Sequence, residues 1–236
     1  MHEAQMHQHN SFITLTYDDQ HYRVGLDYTD FQRFMYRLRK RNGPTRFFAA
    51  GEYGKQTKRP HWHAILFGCA FTDLTQIGEN LYRSELLEQL WPYGFSSTGN
   101  VTYASAAYVA KYATKKITGP NSAAHYERLD IRTGEIISVP PEMGRMSLRP
   151  GIGEAWLRKN WREVYEARDA TVQPGGLHLR PPRYYDKKML DIRADLIESK
   201  EVTRKQMQKP EDSTEQRLRD RELVALSRLR DKRTKL

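Results

Sequence analysis

The feature that most constrains this chain is the run Pro60-His61-Trp62-His63-Ala64-Ile65-Leu66-Phe67. Side chains alternate across a β-strand, so His61 and His63 share one face while Trp62 points to the other and reads as core. The polar segment Gly54 to Pro60, bracketed by Gly and Pro, predicts a hairpin connection from a preceding strand over Arg46 to Tyr53. Antiparallel pairing then brings Glu52, at the end of the first arm, beside His61, at the start of the second. A sheet built around this hairpin must keep one face for packing and the other for polar groups.

Neighbouring segments supply the rest of such a sheet. Ser11 to Tyr17 alternates Ile13, Leu15 and Tyr17 against Phe12, Thr14 and Thr16 and reads as a strand. Between Thr29 and Arg41, Phe31, Phe34, Met35 and Leu38 fall at i, i+3, i+4 and i+7, which predicts an amphipathic helix with a basic outer face. Asp27 or Thr29 can cap its start, and Asn42-Gly43-Pro44 stops it. Further helices are expected near Leu81 to Leu90, from Ser105 as cap to about Lys116, and over Glu154 to Tyr165; Phe95 to Tyr103 reads as a strand. Gly119 to Gly153 is turn-rich, with Arg132-Thr133-Gly134-Glu135 as a hairpin turn.

The expected fold class is α+β: a central antiparallel sheet of about five strands flanked by helices. After Tyr165 the composition shifts to a linker rich in Pro and Gly and then to mixed charge. Residues 1–165 are therefore expected to form one domain and 166–236 a basic, charge-rich extension, helical or partly disordered. Leu218, Ala225, Leu226 and Leu229 fall on one stripe of a late helix, but without the uninterrupted heptads of a coiled coil.

Composition narrows the partners. The chain has 236 residues and a formal net charge of +10, with a pI near 9.6. That imbalance favours a polyanion, nucleic acid first. No run approaches the roughly 20 apolar residues that span a bilayer, so no membrane partner is expected. Cys69 is the single cysteine, which excludes an intramolecular disulfide and argues against a cysteine-based zinc site. A reducing, cytoplasmic setting is the simple reading. His2, His7 and His9 lie in a polar terminal stretch that offers no fixed geometry for a metal.

The chemistry-bearing residues are few. His61 and His63 offer two nitrogen ligands, and Glu52 is the candidate third, which leaves positions open for phosphate and water. Mg²⁺ prefers oxygen ligands and keeps several waters, whereas Mn²⁺ accepts imidazole readily. Tyr108 and Tyr112 are four apart on a predicted helix, as are Lys111 and Lys115 on the adjacent sector. A phenol has a reference pKa near 10 and needs a metal or a lysine to become a nucleophile. Taken singly, each motif has an ordinary alternative: a His-x-His in a strand is more often structural, and an amphipathic helix can pack its tyrosines and leave its lysines in water. The helical His-Glu-x-x-His of metalloproteases is absent.

Together and in this order, the motifs resemble those of the HUH endonuclease superfamily, named for histidine, bulky hydrophobe, histidine. The resemblance is closer to the replication initiators of microviruses, especially the gokushovirus-like branch. Phe12-Ile13-Thr14-Leu15-Thr16-Tyr17 resembles the first family motif, Arg59 to Gly68 the second, and Tyr108-Val109-Ala110-Lys111-Tyr112 the third. Gly51-Glu52-Tyr53-Gly54 and Met146 to Gly153 extend the likeness, which spans roughly residues 10 to 165. The cysteine- and arginine-containing segment that often precedes the first motif is not in this chain, which bears on origin recognition more than on chemistry.

The resemblance implies rolling-circle replication. It assigns nucleophile roles to Tyr108 and Tyr112, an electrostatic role to Lys111, and Mg²⁺ or Mn²⁺ binding to His61, His63 and Glu52. The implied partner is single-stranded DNA at the viral origin, in the host bacterial cytoplasm. No phosphate-binding Gly-x-x-x-x-Gly-Lys loop is present, so helicase and polymerase are expected from the host. Arg33, Arg37, Lys40, Lys55, Lys58, Arg59 and Lys115 are the basic residues expected to track phosphates. Tyr53 and Trp91 are candidate base-stacking platforms, with packing the alternative for Trp91. A plasmid- or transposon-type nickase, or a non-catalytic nucleic-acid-binding module, are the competing readings.

Overall fold

The computed structural model describes residues 1–54, 56–112, 116–120, 122–207 and 210–231, leaving out the side chains of 112, 210 and 228–231. Two compact units are present, Met1–Lys159 and Asn160–Leu236.

In chain order the first unit contains β1 (Asn10–Tyr17), α1 (Tyr28–Asn42), β2 (Arg46–Tyr53), β3 (Pro60–Phe67), β4 (Leu74–Gly78), β5 (Leu81–Ser84), α2 (Glu85–Leu90) and β6 (Gly94–Asn100). It continues with α3 (Tyr103–Tyr112), α4 (Ser122–His125), β7 (Glu127–Leu129), β8 (Ile136–Ser138), β9 (Met143–Met146) and the start of α5 (Glu154–Trp161). The fold is α+β, built on a seven-stranded sheet in the order β4-β5-β6-β1-β3-β2-β9. All of its pairings are antiparallel.

The sheet is wider than the sequence alone suggests. Two of the additional strands, β4 and β5, form a hairpin from residues 74–84; the third, β9, lies in the turn-rich region and pairs with β2 from Phe48↔Met146 to Gly51↔Met143. Leu81, expected to begin a helix, begins β5 instead. The helix starts at Glu85 because the Ser84 side chain accepts from Leu87 N at 3.1 Å and the Asp73 carboxylate accepts from Leu86 N at 2.7 Å, which satisfies donors that a helix start leaves open. In α3 the cap is Thr102 rather than Ser105: Thr102 Oγ1 accepts from Ser105 N at 3.1 Å while Ser105 Oγ accepts from Thr102 N at 2.8 Å.

The strand pattern separates two faces. Ile13, Leu15 and Tyr17 of β1, Phe47 and Ala49 of β2, and Trp62, Ala64 and Leu66 of β3 join Phe31, Phe34, Met35 and Leu38 of α1 and Leu87 and Leu90 of α2 in one buried core. On the opposite face Ala50, Ile65, Phe67 and Val109 form a smaller cluster, with Phe12, Phe48 and Tyr108 packed against it. Helix α1 thus covers one face, and α3 covers part of the other. Gly51 lies on the crowded α1 face, where a Cβ would stand 2.8 Å from Leu26 Cδ2 and 2.9 Å from Trp62 Cζ3.

The second unit holds a π-helical turn (Arg162–Arg168), the short hairpin β10 (Thr171–Val172) and β11 (His178–Leu179), and the helices α6 (Arg183–Gln206) and α7 (Glu215–Asp231). Its buried polar centre is Asp186, which accepts from Tyr165 Oη at 2.7 Å and from Arg204 Nη1 at 3.0 Å. Leu218 and Leu226 of the expected late stripe are exposed, and the Leu229 side chain lies outside the described residues.

Candidate metal and nucleophile site

Register builds the site. In β2 and β3 Glu52 stands opposite His61 and Ala50 opposite His63; in β1 Thr16 stands opposite His61 and Thr14 opposite His63. Directly opposed residues of an antiparallel pair share a face, so Glu52, His61, Thr16, His63 and Thr14 all project from the face away from α1. Glu52 and His63 are buried, and His61 is half-buried.

Three donor atoms converge there. Glu52 Oε1 is 2.7 Å from His61 Nε2 and 3.1 Å from His63 Nε2, and one ligand atom from each of the three residues lies within 4.8 Å of the others. Adjacent donors around an octahedral ion, each about 2.1 Å from it, stand roughly 3 Å apart. The spacing of the carboxylate from each imidazole is of that size.

The other ring nitrogens are engaged. His61 Nδ1 lies 3.1 Å from the Arg59 carbonyl oxygen, which can only accept a hydrogen bond, and His63 Nδ1 lies 3.0 Å from Thr14 Oγ1. With its Nδ1 proton committed to the carbonyl, a neutral His61 turns a lone pair, not a proton, toward Glu52. Lone pairs facing a carboxylate repel unless a cation lies among them. The donor set therefore fits a divalent metal, and its mix of two imidazoles and one carboxylate suits Mn²⁺ as well as Mg²⁺.

Helix α3 crosses beside this cluster. The Tyr108 ring meets the His63 ring edge-on, with centroids 5.0 Å apart, and Phe12 packs against both at 6.0 and 6.3 Å. Val109, the next residue, is fully buried and seats the helix on the sheet. Lys111 is half-buried in the last turn of α3. Tyr112 closes the helix; its side chain, like Lys55 and Lys115, lies outside the described residues.

Other predicted contacts are placed elsewhere. Arg33, Arg37 and Lys40 belong to α1 and so lie on the face opposite the histidines; Arg33 pairs with Asp30 at 3.2 Å, and Arg37 Nε donates to Leu90 O at 2.9 Å. Trp91 is fully buried, with Nε1 donating to Thr16 O at 3.2 Å. Tyr53 is also buried: its hydroxyl donates to Pro140 O at 2.6 Å and accepts from Leu26 N at 3.1 Å. Burial pushes the Tyr53 phenol up to about 12, consistent with its donating role. Neither ring is a surface for stacking.

Lys58 and Arg59 do lie at the histidine end of the sheet. They line a cleft of about 330 Å³ with Arg23, Arg128, Arg132 and Asp19. Arg59 is held there by Tyr17 O at 3.0 Å and by Asp19, and Arg132 Nη2 donates to Asp19 O at 3.0 Å. The sequence reading missed Arg23, Arg128 and Arg132, which come from distant loops and a hairpin, and also Thr14, whose only signal was its place on the polar side of an alternating strand.

The fold and this cluster define an HUH-like α+β protein with a carboxylate beside its two strand histidines. Over residues 10–117 the chain belongs to the family of replication-associated protein ORF2 and gene 2 protein. It is 35% identical over 200 residues to replication-associated protein VP4 of Bdellovibrio phage phiMH2K, covering 78% of this chain and 59% of that one. Against replication-associated protein ORF2 of Spiroplasma virus 4 the identity is 30% over 200 residues, covering 77% and 58%. Against replication-associated protein ORF4 of Chlamydia phage 1 it is 35% over 129 residues, covering 48% and 32%. The chain thus spans less than two thirds of the length of each relative. No solved structure matches it.

Proposed function

We propose that this chain initiates rolling-circle DNA replication as a metal-dependent, site-specific single-strand DNA endonuclease and strand transferase. The observation that supports the reading most is the convergence of Glu52, His61 and His63 with the ring of Tyr108 against His63, in a chain related to phage replication-associated proteins.

In this reading the Tyr108 phenol gives up its proton and its oxygen attacks the scissile phosphorus. A tyrosyl–5′-phosphate bond forms as the bond from phosphorus to the 3′ oxygen breaks, and that oxygen takes up a proton to leave as a 3′ hydroxyl. A divalent cation, when bound by Glu52, His61 and His63, polarises the scissile phosphate. Lys111 offsets the charge that develops on the phosphate or the phenolate. Tyr112, four residues on, cuts the regenerated origin after a round of synthesis; the 3′ hydroxyl released there attacks the first phosphotyrosine, restores the Tyr108 phenol and closes the circle. Arg59 and Lys58, in the basic cleft, would hold backbone phosphates flanking the cut.

The deciding experiment is adduct formation on single-stranded DNA carrying the phage origin, with Mn²⁺ or Mg²⁺, in wild type, Tyr108→Phe, Tyr112→Phe and the double variant. Loss only in the double variant is the expected result for interchangeable nucleophiles, and loss in one single variant assigns the first cut. A folded wild-type protein that never forms a covalent adduct would overturn the reading.

A further inference from the structure

Phe95 projects from the same row of the sheet as the histidines, and it is 67% exposed. The row is set by register: Glu52 opposes His61, His61 opposes Thr16, and Thr16 opposes Phe95. The alternation in β6 agrees, since Thr98, opposite the core residue Ile13, is buried, while Phe95 lies an odd number of positions away on the other face. With strands about 4.8 Å apart, Phe95 stands two strands, roughly 10 Å, from His61.

An exposed phenyl ring in the middle of a sheet face is costly in water and has few uses. This one is also rigidly presented. Gly94 beside it has φ of 146° and approaches β1 so closely that a Cβ would meet Asp18 N at 2.3 Å and Thr16 O at 2.5 Å. Asp18 N donates to Tyr93 O at 3.0 Å, and Trp91 Nε1 donates to the carbonyl of Thr16, the residue paired with Phe95. The outer neighbour β5 pairs with β6 only at Tyr82↔Thr98, three residues farther along, so among the described residues no strand flanks the ring on that side. A fixed ring loses little freedom on binding.

We propose that Phe95 is a base-stacking platform for single-stranded DNA, receiving a nucleobase a nucleotide or two from the phosphate held at Glu52, His61 and His63. The proposal rests on the reading of that cluster as the cleavage site. A base needs a flat apolar face, and single-stranded DNA offers one at every nucleotide, whereas a duplex keeps its bases stacked on one another. The nearby basic cleft of Lys58, Arg59, Arg128 and Arg132 matches the charge of the backbone that would run past the ring. Stacking here would favour single-stranded or extruded DNA and set the register of the strand over the metal-binding cluster.

The test measures binding of a fluorescently labelled single-stranded oligonucleotide and its matched duplex, in EDTA so that no chemistry intervenes. The variants are Phe95→Ala, Phe95→Leu and Phe95→Trp. Phe95→Ala and Phe95→Leu should weaken single-strand binding about tenfold with duplex binding unchanged, and Phe95→Trp should restore it, with its indole fluorescence quenched by the bound strand. Phe95→Leu keeps the apolar volume and guards against a folding defect in Phe95→Ala. Wild-type binding by Phe95→Leu, equal losses for single strand and duplex, or no single-strand binding by the wild type would each overturn the proposal. Adduct formation by the wild type is scored separately: an intact adduct with unchanged Phe95→Leu binding sinks the stacking role alone, whereas Phe95-dependent binding without any adduct sinks the cleavage reading.

Discussion

Trp62 and His63 are consecutive in the chain, yet they serve opposite faces of one sheet. Trp62 is fully buried and packs against Phe31 and Tyr28, with centroids 5.0 and 5.9 Å away, in a face sealed by α1 and α2. His63 turns to the face that α3 covers only in part, where polar groups converge. Both faces hold a buried carboxylate near their centre, and the partners differ. Asp30 accepts from Tyr17 Oη, Arg23 Nε and Arg33 Nη1, each at 3.2 Å, so two guanidinium groups that never lose their charge neutralise it. Glu52 faces two imidazoles whose far nitrogens are already held. The first carboxylate is completed by its own chain and stabilises the fold; the second is arranged for an added cation and suits a site.

That contrast can be broken in four ways, taken from the largest effect to the smallest. Trp62→Ala should cost about 4 kcal/mol of stability, read as a shift of the urea midpoint, with metal affinity per folded molecule unchanged. Loss of metal affinity out of proportion to unfolding would mean that the two faces are coupled. His63→Ala should do the reverse. Its metal affinity and adduct rate should fall by at least about 100-fold, since even partners behind a ligand are worth 10–100-fold, while the urea midpoint moves little.

The third test addresses the far end of the histidine face. Burial pushes the Glu3 carboxyl up, but hydrogen bonds from Gly153 N, Arg46 and His7 win and hold it below the usual carboxylate range. A carboxyl lowered in the folded state contributes its stability in full above the ordinary carboxylate pKa and loses it as pH falls through the folded value. Glu3→Gln should therefore cost about 2 kcal/mol at pH 7, and the gap to wild type should shrink below pH 4, as followed by urea titrations at both pH values. A constant gap would show that shape rather than charge matters. Smallest is Thr14→Val, which removes the partner of His63 Nδ1 and should weaken metal binding about tenfold without altering ligand identity. Metal titration checks this, and unchanged affinity would show that the strand alone orients the ring.

Much of the site was legible because period-two alternation is a local property. The shared face of His61 and His63, the opposite placement of Trp62 and the pairing of Glu52 with His61 all follow from one hairpin whose turn is marked by Gly54 and Pro60. The cap at Asp27 was equally local, and its side chain accepts from Thr29 N at 2.8 Å. Arg33, Arg37 and Lys40 show the limit of such reasoning. Helical periodicity says which residues of α1 point outward, but not which face of the sheet α1 covers. Tyr53 and Trp91 show the same limit, because an aromatic side chain stacks or packs according to neighbours brought in from elsewhere, here Pro140 and Thr16.

The strand β9 was unreadable for a related reason. Met143–Met146 lacks an alternating apolar pattern, and it becomes a strand only because β2 offers it an unpaired edge. The row from Glu52 through His61 and Thr16 to Phe95 likewise joins four strands whose order, β6-β1-β3-β2, is not their order in the chain. By itself the sequence determined the hairpin, the two-faced strand, the donor types and the tyrosine spacing, since each depends on backbone geometry within a few residues. The tertiary structure decided which helix covers the histidines, which basic residues share their end of the sheet and that Phe95 joins their row, because these depend on long-range pairing and packing that no local period encodes.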